Sequence, residues 1–224
     1  PGERIAALLA VREWPAEDGE RYIVTGTRRG AVKKTDLRSF RHPRQAGIIA
    51  MGVAEDDAVI AAEITDGQGE LFLGTRRGKA IRFPERGVRP MGRTAHGVRG
   101  IRLRANDEVV AMAVVRPGGA VLTVTEKGYG KRTELDEYRV QSRGGVGIIS
   151  IQTTARNGRV VGVEYVESED ELMLITQKGK VLRMDTKDMR LIGRATQGVR
   201  LIEIDEKDRV VSLARLPDEV EDGP

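Results

Sequence analysis

The chain repeats itself. Aligned on itself, YIVTGTRRGAVKKT, LFLGTRRGKAIRF, VLTVTEKGYGKRT and LMLITQKGKVLRM superimpose on Gly30, Gly78, Gly128 and Gly179, at spacings of 48, 50 and 51 residues. A threonine stands three positions before each glycine, at Thr27, Thr75, Thr125 and Thr176. A period of this length marks one supersecondary unit used four times, each copy burying its apolar face against the next. The repeats run near 20–66, 69–116, 119–167 and 170–215.

Each unit continues with a second glycine (Gly47, Gly97, Gly147, Gly198) that opens the apolar stretches GIIAM, GVRGIRL, GIISI and GVRLIEI. After a polar turn comes a last apolar pair, Val59-Ile60, Val109-Val110, Val160-Val161 and Val210-Val211. Four short segments rich in β-branched residues and divided by turn signals predict a four-stranded sheet. The first glycine of each unit supplies the positive φ of a tight hairpin. No segment holds a 3.6-residue apolar period for long, so helix is scarce. The fold class expected is all-β, a propeller-like array of four-stranded blades, without the WD-repeat or kelch signatures. PGERIAALLAVRE aligns with ANDEVVAMAVVRP, the end of a unit, so the chain is expected to begin with the last strand of an earlier blade. The array is expected to span 1–216, with PDEVEDG inside an acidic tail at 217–224.

With 39% hydrophobic and 32% charged residues, the composition is that of a charge-rich globular chain. No apolar run approaches the roughly 18 residues of a membrane span, and the cytoplasm is the expected address. There is no cysteine and the only histidines are His42 and His96, which removes disulfides, thiolate zinc sites and a histidine triad. No catalytic or metal residue is assigned. The acidic run Glu203, Asp205, Glu206, Asp208 reads as a solvated turn rather than a magnesium site. The net charge of +4 does not by itself select nucleic acid, so placement decides.

Basic residues fall into columns. Immediately before the first glycine stand Arg29, Arg77, Lys127 and Lys178, and four positions after it Lys34, Arg82, Arg132 and Arg183. A third column precedes the second glycine: Arg93, Arg143 and Arg194 at four residues, Arg44 at three. Arg28, Lys33, Arg76, Lys79, Lys131 and Lys180 flank the first two columns, and Arg99 and Arg200 follow the second glycine. Acidic clusters (Glu55-Asp56-Asp57, Asp107-Glu108, Glu169-Asp170-Glu171, Asp205-Glu206) occupy the other turns. Hairpin geometry is expected to put the two signs on different edges, leaving a basic rim for a polyanion that passes from blade to blade. The loop Gln141, Ser142, Arg143, Gly144, Gly145, Val146, Gly147 is expected to approach that partner closely and present its own N–H groups. Its lack of a Gly-Lys-Ser/Thr ending argues against a nucleotide-binding loop. Aromatics are only 4%, too few to stack on unpaired bases, which favours duplex over single strands.

PGERIAALLAV, GTRRGAVKKT, KAIRFPERGVRPMGRTAHGVRGIRL, TEKGYGKRT, TARNGRVVGV and GRATQGVRLIEI resemble, in the same order, phrases of the C-terminal domain of the DNA gyrase A subunit. The resemblance covers nearly the whole chain. It implies a β-pinwheel, a six-bladed disc whose neighbouring blades exchange strands, of which this chain holds the third to sixth blades. It also implies a non-catalytic segment that bends duplex DNA around a basic rim, so that the gyrase holoenzyme introduces negative supercoils. The implied partners are duplex DNA and, in a heterotetramer, the gyrase B subunit with the remainder of the gyrase A polypeptide. ATP and magnesium are implied for the holoenzyme, none for this segment, and a bacterial cytoplasm at the nucleoid is the implied location. The family's gyrase box, of the Gln-Arg-Arg-Gly-Gly-Lys-Gly type, belongs to the first blade. Gln141 to Gly147 is the one similar stretch, with two basic positions lost. The tyrosines Tyr22, Tyr129, Tyr138 and Tyr165 are scattered and suggest no strand-cleaving nucleophile. Two alternatives stay open: the related domain of topoisomerase IV, and a protein-binding propeller docking a partner through Trp14, Phe40 and other exposed apolar groups.

Overall fold

The computed structural model describes residues 5–16, 19–167 and 169–216. The acidic tail lies outside them. The first repeat supplies β1 (Tyr22–Thr27), β2 (Ala31–Asp36) and β3 (Val59–Thr65). The second supplies β4 (Glu70–Thr75), β5 (Lys79–Pro84), β6 (Val98–Arg99) and β7 (Val109–Val115). The third gives β8 (Ala120–Thr125), β9 (Tyr129–Glu134), β10 (Ile148–Ile149) and β11 (Val160–Val166), and the fourth β12 (Glu171–Thr176), β13 (Val181–Asp185), β14 (Val199–Arg200) and β15 (Val210–Leu216). Among the described residues helix is confined to four 3-10 turns of three or four residues.

The sheets are antiparallel, with strand orders β3-β1-β2-β6, β10-β5-β4-β7, β11-β8-β9-β14 and β13-β12-β15. Each repeat thus contributes three long strands, and the short strand of the second, third and fourth repeats closes the sheet of the repeat before it. Residues 5–16, expected as the last strand of an earlier blade, form no strand. A strand is defined by pairing, and no sheet among the described residues takes them as a neighbour.

The recurring threonine and glycine build the hairpin together. Gly30, Gly128 and Gly179 donate to the carbonyls of Thr27, Thr125 and Thr176 at 2.9 to 3.0 Å, and the glycines hold φ between 78° and 85°. The buried threonine hydroxyl then serves the residue four positions on: Thr27 accepts from the amide of Ala31 and Thr176 from that of Lys180, both at 3.1 Å, while Thr125 donates to the carbonyl of Tyr129 at 3.0 Å. A methyl group on Gly128 would lie 2.5 Å from the carbonyl oxygen of Ile202, so only glycine fits.

The chain divides into two compact units, 1–75, 80–116 and 139–148 in one, 76–79, 117–138 and 149–224 in the other. In the first, Val24, Leu71, Leu73, Ile81, Phe83 and Ile101 form a core between its two sheets. In the second, Leu122, Val124, Leu172, Leu174, Ile202 and Val210 do the same. Full burial of such a side chain contributes about 1.5–3 kcal/mol. Among the described residues no helix is long and apolar enough to cross a membrane.

Candidate nucleic-acid interface

The most regular surface feature is a loop that arches along the outer strand of the preceding sheet. Among the described residues there are three such arches, 88–97 on β2, 139–147 on β5 and 190–198 on β9. Each is pinned where it starts by an amide donating to a carbonyl of the edge strand: Met91 to Lys34, Gln141 to Arg82 and Ile192 to Arg132, all at 2.8 Å. It is pinned again beyond its end, Gly100 to Gly30, Ser150 to Gly78 and Leu201 to Gly128, also at 2.8 Å. The closing glycines Gly97, Gly147 and Gly198 take φ of 67° to 82°, and a methyl group there would meet an edge-strand carbonyl at 2.5 to 2.6 Å. The closing glycine therefore seats the arch against the sheet.

The third basic column lies on these arches. Arg93 donates to the carbonyl of Ile49 at 3.2 Å, Arg194 to that of Ile149 at 2.6 Å, and Arg143 to those of Gly87 and Arg99 at 3.0 and 3.2 Å. Arg44 is exposed on the corresponding loop of the first repeat, and Arg99 and Arg200 are exposed where an arch ends. Within the gyrase-box-like stretch, Ser142 and Val146 are exposed, and the side-chain amide nitrogen of Gln141 is buried without a hydrogen-bond partner. The amide of Gly144 donates to Gly100 at 2.6 Å and the carbonyl of Gly145 accepts from Arg102 at 2.8 Å. The expected free N–H of Gly144 is thus used inside the fold.

Structure corrects the second column and its neighbours. Lys34 is buried with Glu85, 3.5 Å from its carboxylate, which also accepts from Thr65 at 2.7 Å. Arg82, also buried, pairs with Glu70 at 2.5 Å, and Arg183, exposed, donates to Glu171 at 2.8 Å. Arg132 is half-buried. Lys33 and Lys131 are 0% and 1% exposed and point under the arches. Lys33 donates to the carbonyls of Ala50, Gly92 and Arg93, and Lys131 to those of Gly193 and Arg194. Burial first, then the neighbouring Arg93 or Arg194, lowers both lysine pKa values to about 8, with Glu137 opposing at Lys131. Lys33, Lys34, Arg82 and Lys131 are structural cations, not surface ones.

The first column stands exposed at the hairpin tips, yet the acidic turns are at the same strand ends. The strand after each turn runs antiparallel to the one entering the hairpin, so both connections land together; Val59 lies opposite Thr27. Arg29 is ion-paired with Asp56, its amide donates to Asp57 at 2.9 Å, and Arg28 donates to the carbonyl of Asp56 at 2.9 Å. Lys178 lies 3.8 Å from Asp205 and its amide donates to Asp208 at 3.1 Å. The expected separation of signs onto opposite edges does not hold there. Lys127 bonds the carbonyl of Ala155 at 2.5 Å, Lys180 that of Glu203 at 2.6 Å, Arg77 is exposed, and Arg76 and Lys79 are half-buried. Among the described residues no group of three or more His, Cys, Asp and Glu is placed to hold a metal.

Sequence reasoning missed Arg89, Arg139 and Arg190. Each is exposed near the start of an arch, beside the residue that bridges the edge strand (Pro90, Val140, Leu191), and makes no hydrogen bond or ion pair with a described residue. The signal was available, since all three precede the closing glycine by eight residues.

The DNA gyrase C-terminal domain, beta-propeller family matches at 21–66, 69–116, 120–167 and 170–217. The DNA gyrase A protein of Salmonella typhimurium is 47% identical over 220 residues, which are 98% of this chain and 25% of that protein. The chain thus spans about a quarter of the curated relatives it matches. Among solved structures, the C-terminal domain of DNA topoisomerase IV superimposes with a TM-score of 0.85 at 27% identity, covering 92% of this chain and 64% of the other. A DNA gyrase A C-terminal domain does so at 0.81 and 27%, covering 89% and 67%. With all four repeats matched by the family and the antiparallel sheets of the fold in place, the chain belongs to the DNA gyrase A C-terminal domain family.

Proposed function

We propose that this domain binds duplex DNA with little sequence selectivity and bends it over the arches, in support of negative supercoiling by a gyrase. The reading is carried by Arg89, Arg139 and Arg190, the same exposed and internally unpartnered cation on the same loop of three successive repeats. Guanidinium contacts to phosphate fix a duplex in place without reading its bases. The longest helix among the described residues has four residues, too short to lie in a major groove as a recognition helix. Bending a 20–30 base-pair site by 40–90° costs about 1–6 kcal/mol, which contacts on successive arches offset. In this reading the domain works at the nucleoid of a bacterial cytoplasm, beside the gyrase B subunit with the rest of the gyrase A polypeptide. ATP and magnesium serve the other parts of that assembly.

A duplex titration at several salt concentrations tests this. Three arches with two or three contacts each neutralise about 6 to 9 phosphates, so log K against log salt should fall with a slope of about −5 to −8. Salt-independent binding, or tighter binding of poly-dT than of duplex, would overturn the reading. Salt-independent binding would favour the second one, a protein partner docked on the arches, where Val140, Val146 and Leu191, and Val199 just beyond, are each 47% to 49% exposed.

A further inference from the structure

The strand end of the third sheet differs from its counterparts. In the first and fourth repeats the turn beside the hairpin tip is acidic and neutralises the tip through Asp56 and Asp57 or Asp205 and Asp208. In the third, the turn reads TTARNGRV and contains no carboxylate. Its exposed Arg156 and Arg159 add to Lys127 on the tip, whose ammonium meets only the carbonyl of Ala155 among the described residues, and the nearby Glu126 is occupied by the amide of Arg159 at 3.0 Å. A depression of about 360 Å³ opens there, lined among others by Arg77, Glu126, Lys127, Thr153, Thr154 and Arg159.

This patch is continuous with the third arch. Arg200, where that arch ends, pairs across the sheet edge with Tyr129. The guanidinium groups of Arg200 and Arg156 lie 5.5 and 5.2 Å from the Tyr129 ring centre, and both donate to its hydroxyl oxygen, at 3.1 and 3.4 Å. These two bonds, that of Arg200 first, hold the phenol below its ordinary pKa. The buried Tyr129 ring therefore joins the last cation of the edge to the first cation of the strand end, although Arg200 also lies 3.8 Å from Glu203 and the acidic turn of the fourth repeat, Asp205, Glu206 and Asp208, lines a depression beside them. At the matching corner of the first sheet Arg99 pairs with Ala31, which offers no ring, and the way onward is closed by Asp56 and Asp57.

We propose that duplex DNA leaves the arch of the third sheet at Arg200, crosses Tyr129 and runs over the strand end, where Arg156, Arg159 and Lys127 hold its phosphates. The proposal rests on the duplex-binding reading above and adds a path to it. The third sheet is then the place where the duplex changes course, while the first offers it only an edge.

The chain has no cysteine, so a DNA-cutting iron chelate can be attached at one introduced thiol at a time. Ser142→Cys reports the second arch, Ala155→Cys the third strand end, and Ala54→Cys the equivalent acidic turn of the first repeat. On a duplex of about 40 base pairs, cutting from positions 142 and 155 but not 54 is the expected result. Cutting from 142 alone would overturn the path and leave the arch reading standing; cutting from none would sink both. Equal cutting from 54 and 155 would also overturn it, since a diffuse positive field would then suffice. Arg156→Glu with Arg159→Glu should abolish cutting from 155, preserve it from 142 and make the salt slope shallower by about two. Loss of cutting from 142 in that variant would count against a separate path.

Discussion

Lys131 sits beneath Arg194, donating from its ammonium group to the carbonyl oxygens of Gly193, at 2.6 Å, and of Arg194 itself. Lys33 stands in the same relation to Arg93. Both lysines hold their pKa near 8 in the folded chain against 10.5 ordinarily. Between those values the unfolded chain binds more protons, so the contribution of these two groups to stability rises with pH from about 8 to about 10. Urea unfolding at pH 7 and pH 9.5 should show a larger upward shift in the parent than in a Lys33→Met, Lys131→Met variant. Identical shifts would mean that both lysines titrate in the ordinary range.

Removing the arch cations together, Arg89→Ala, Arg139→Ala and Arg190→Ala, should weaken duplex binding at least about tenfold and make the salt slope shallower by about three, one for each lost phosphate contact. Arg29→Ala with Lys178→Ala removes two charges that Asp56 and Asp205 already counter, and should change the slope by less than about one. Fluorescence anisotropy at three salt concentrations separates the two. Equal effects would mean that net charge alone governs binding.

Lys34→Ala leaves Glu85 buried without its cation. Breaking such a pair from one side costs about 3–5 kcal/mol, whereas apolar replacement of both partners is often close to neutral. Urea denaturation should show that loss for Lys34→Ala and recovery of most of it in Lys34→Met with Glu85→Leu. The salt slope of duplex binding should be the same in the double variant as in the parent, because the buried ammonium touches no phosphate. A slope shallower by one would return Lys34 to the interface.

The repeat, its strands and its hairpins were legible because Thr27, Gly30 and their equivalents act locally, within four residues of chain. The burial of Lys33 and Lys34 was not, since β2 is covered on both faces and alternation carries no signal in such a strand. The pairing of Arg82 with Glu70 and of Arg183 with Glu171 had a readable cue, the same separation of 12 residues in both repeats. That of Lys34 with Glu85, 51 residues away, had none. The short strands β6 and β14 read as ordinary apolar stretches of their own repeats, because the strand each one pairs with belongs to the repeat before. Where the acidic turns lie depends on strand direction in the sheet, and that order emerges only in three dimensions.

The donated strands also give the molecule a direction in time. Within the third sheet, the outer edge of β9, which ends at Glu134, is completed by Val199 and Arg200. During synthesis at about 5–20 residues per second, that edge waits several seconds with unpaired amides and carbonyls for its partner to emerge. Charged residues discourage a bare edge from joining another chain, and β9 carries Lys131 and Arg132 in its middle. The lysine that later anchors the arch is, in a nascent chain, a guard against the wrong neighbour.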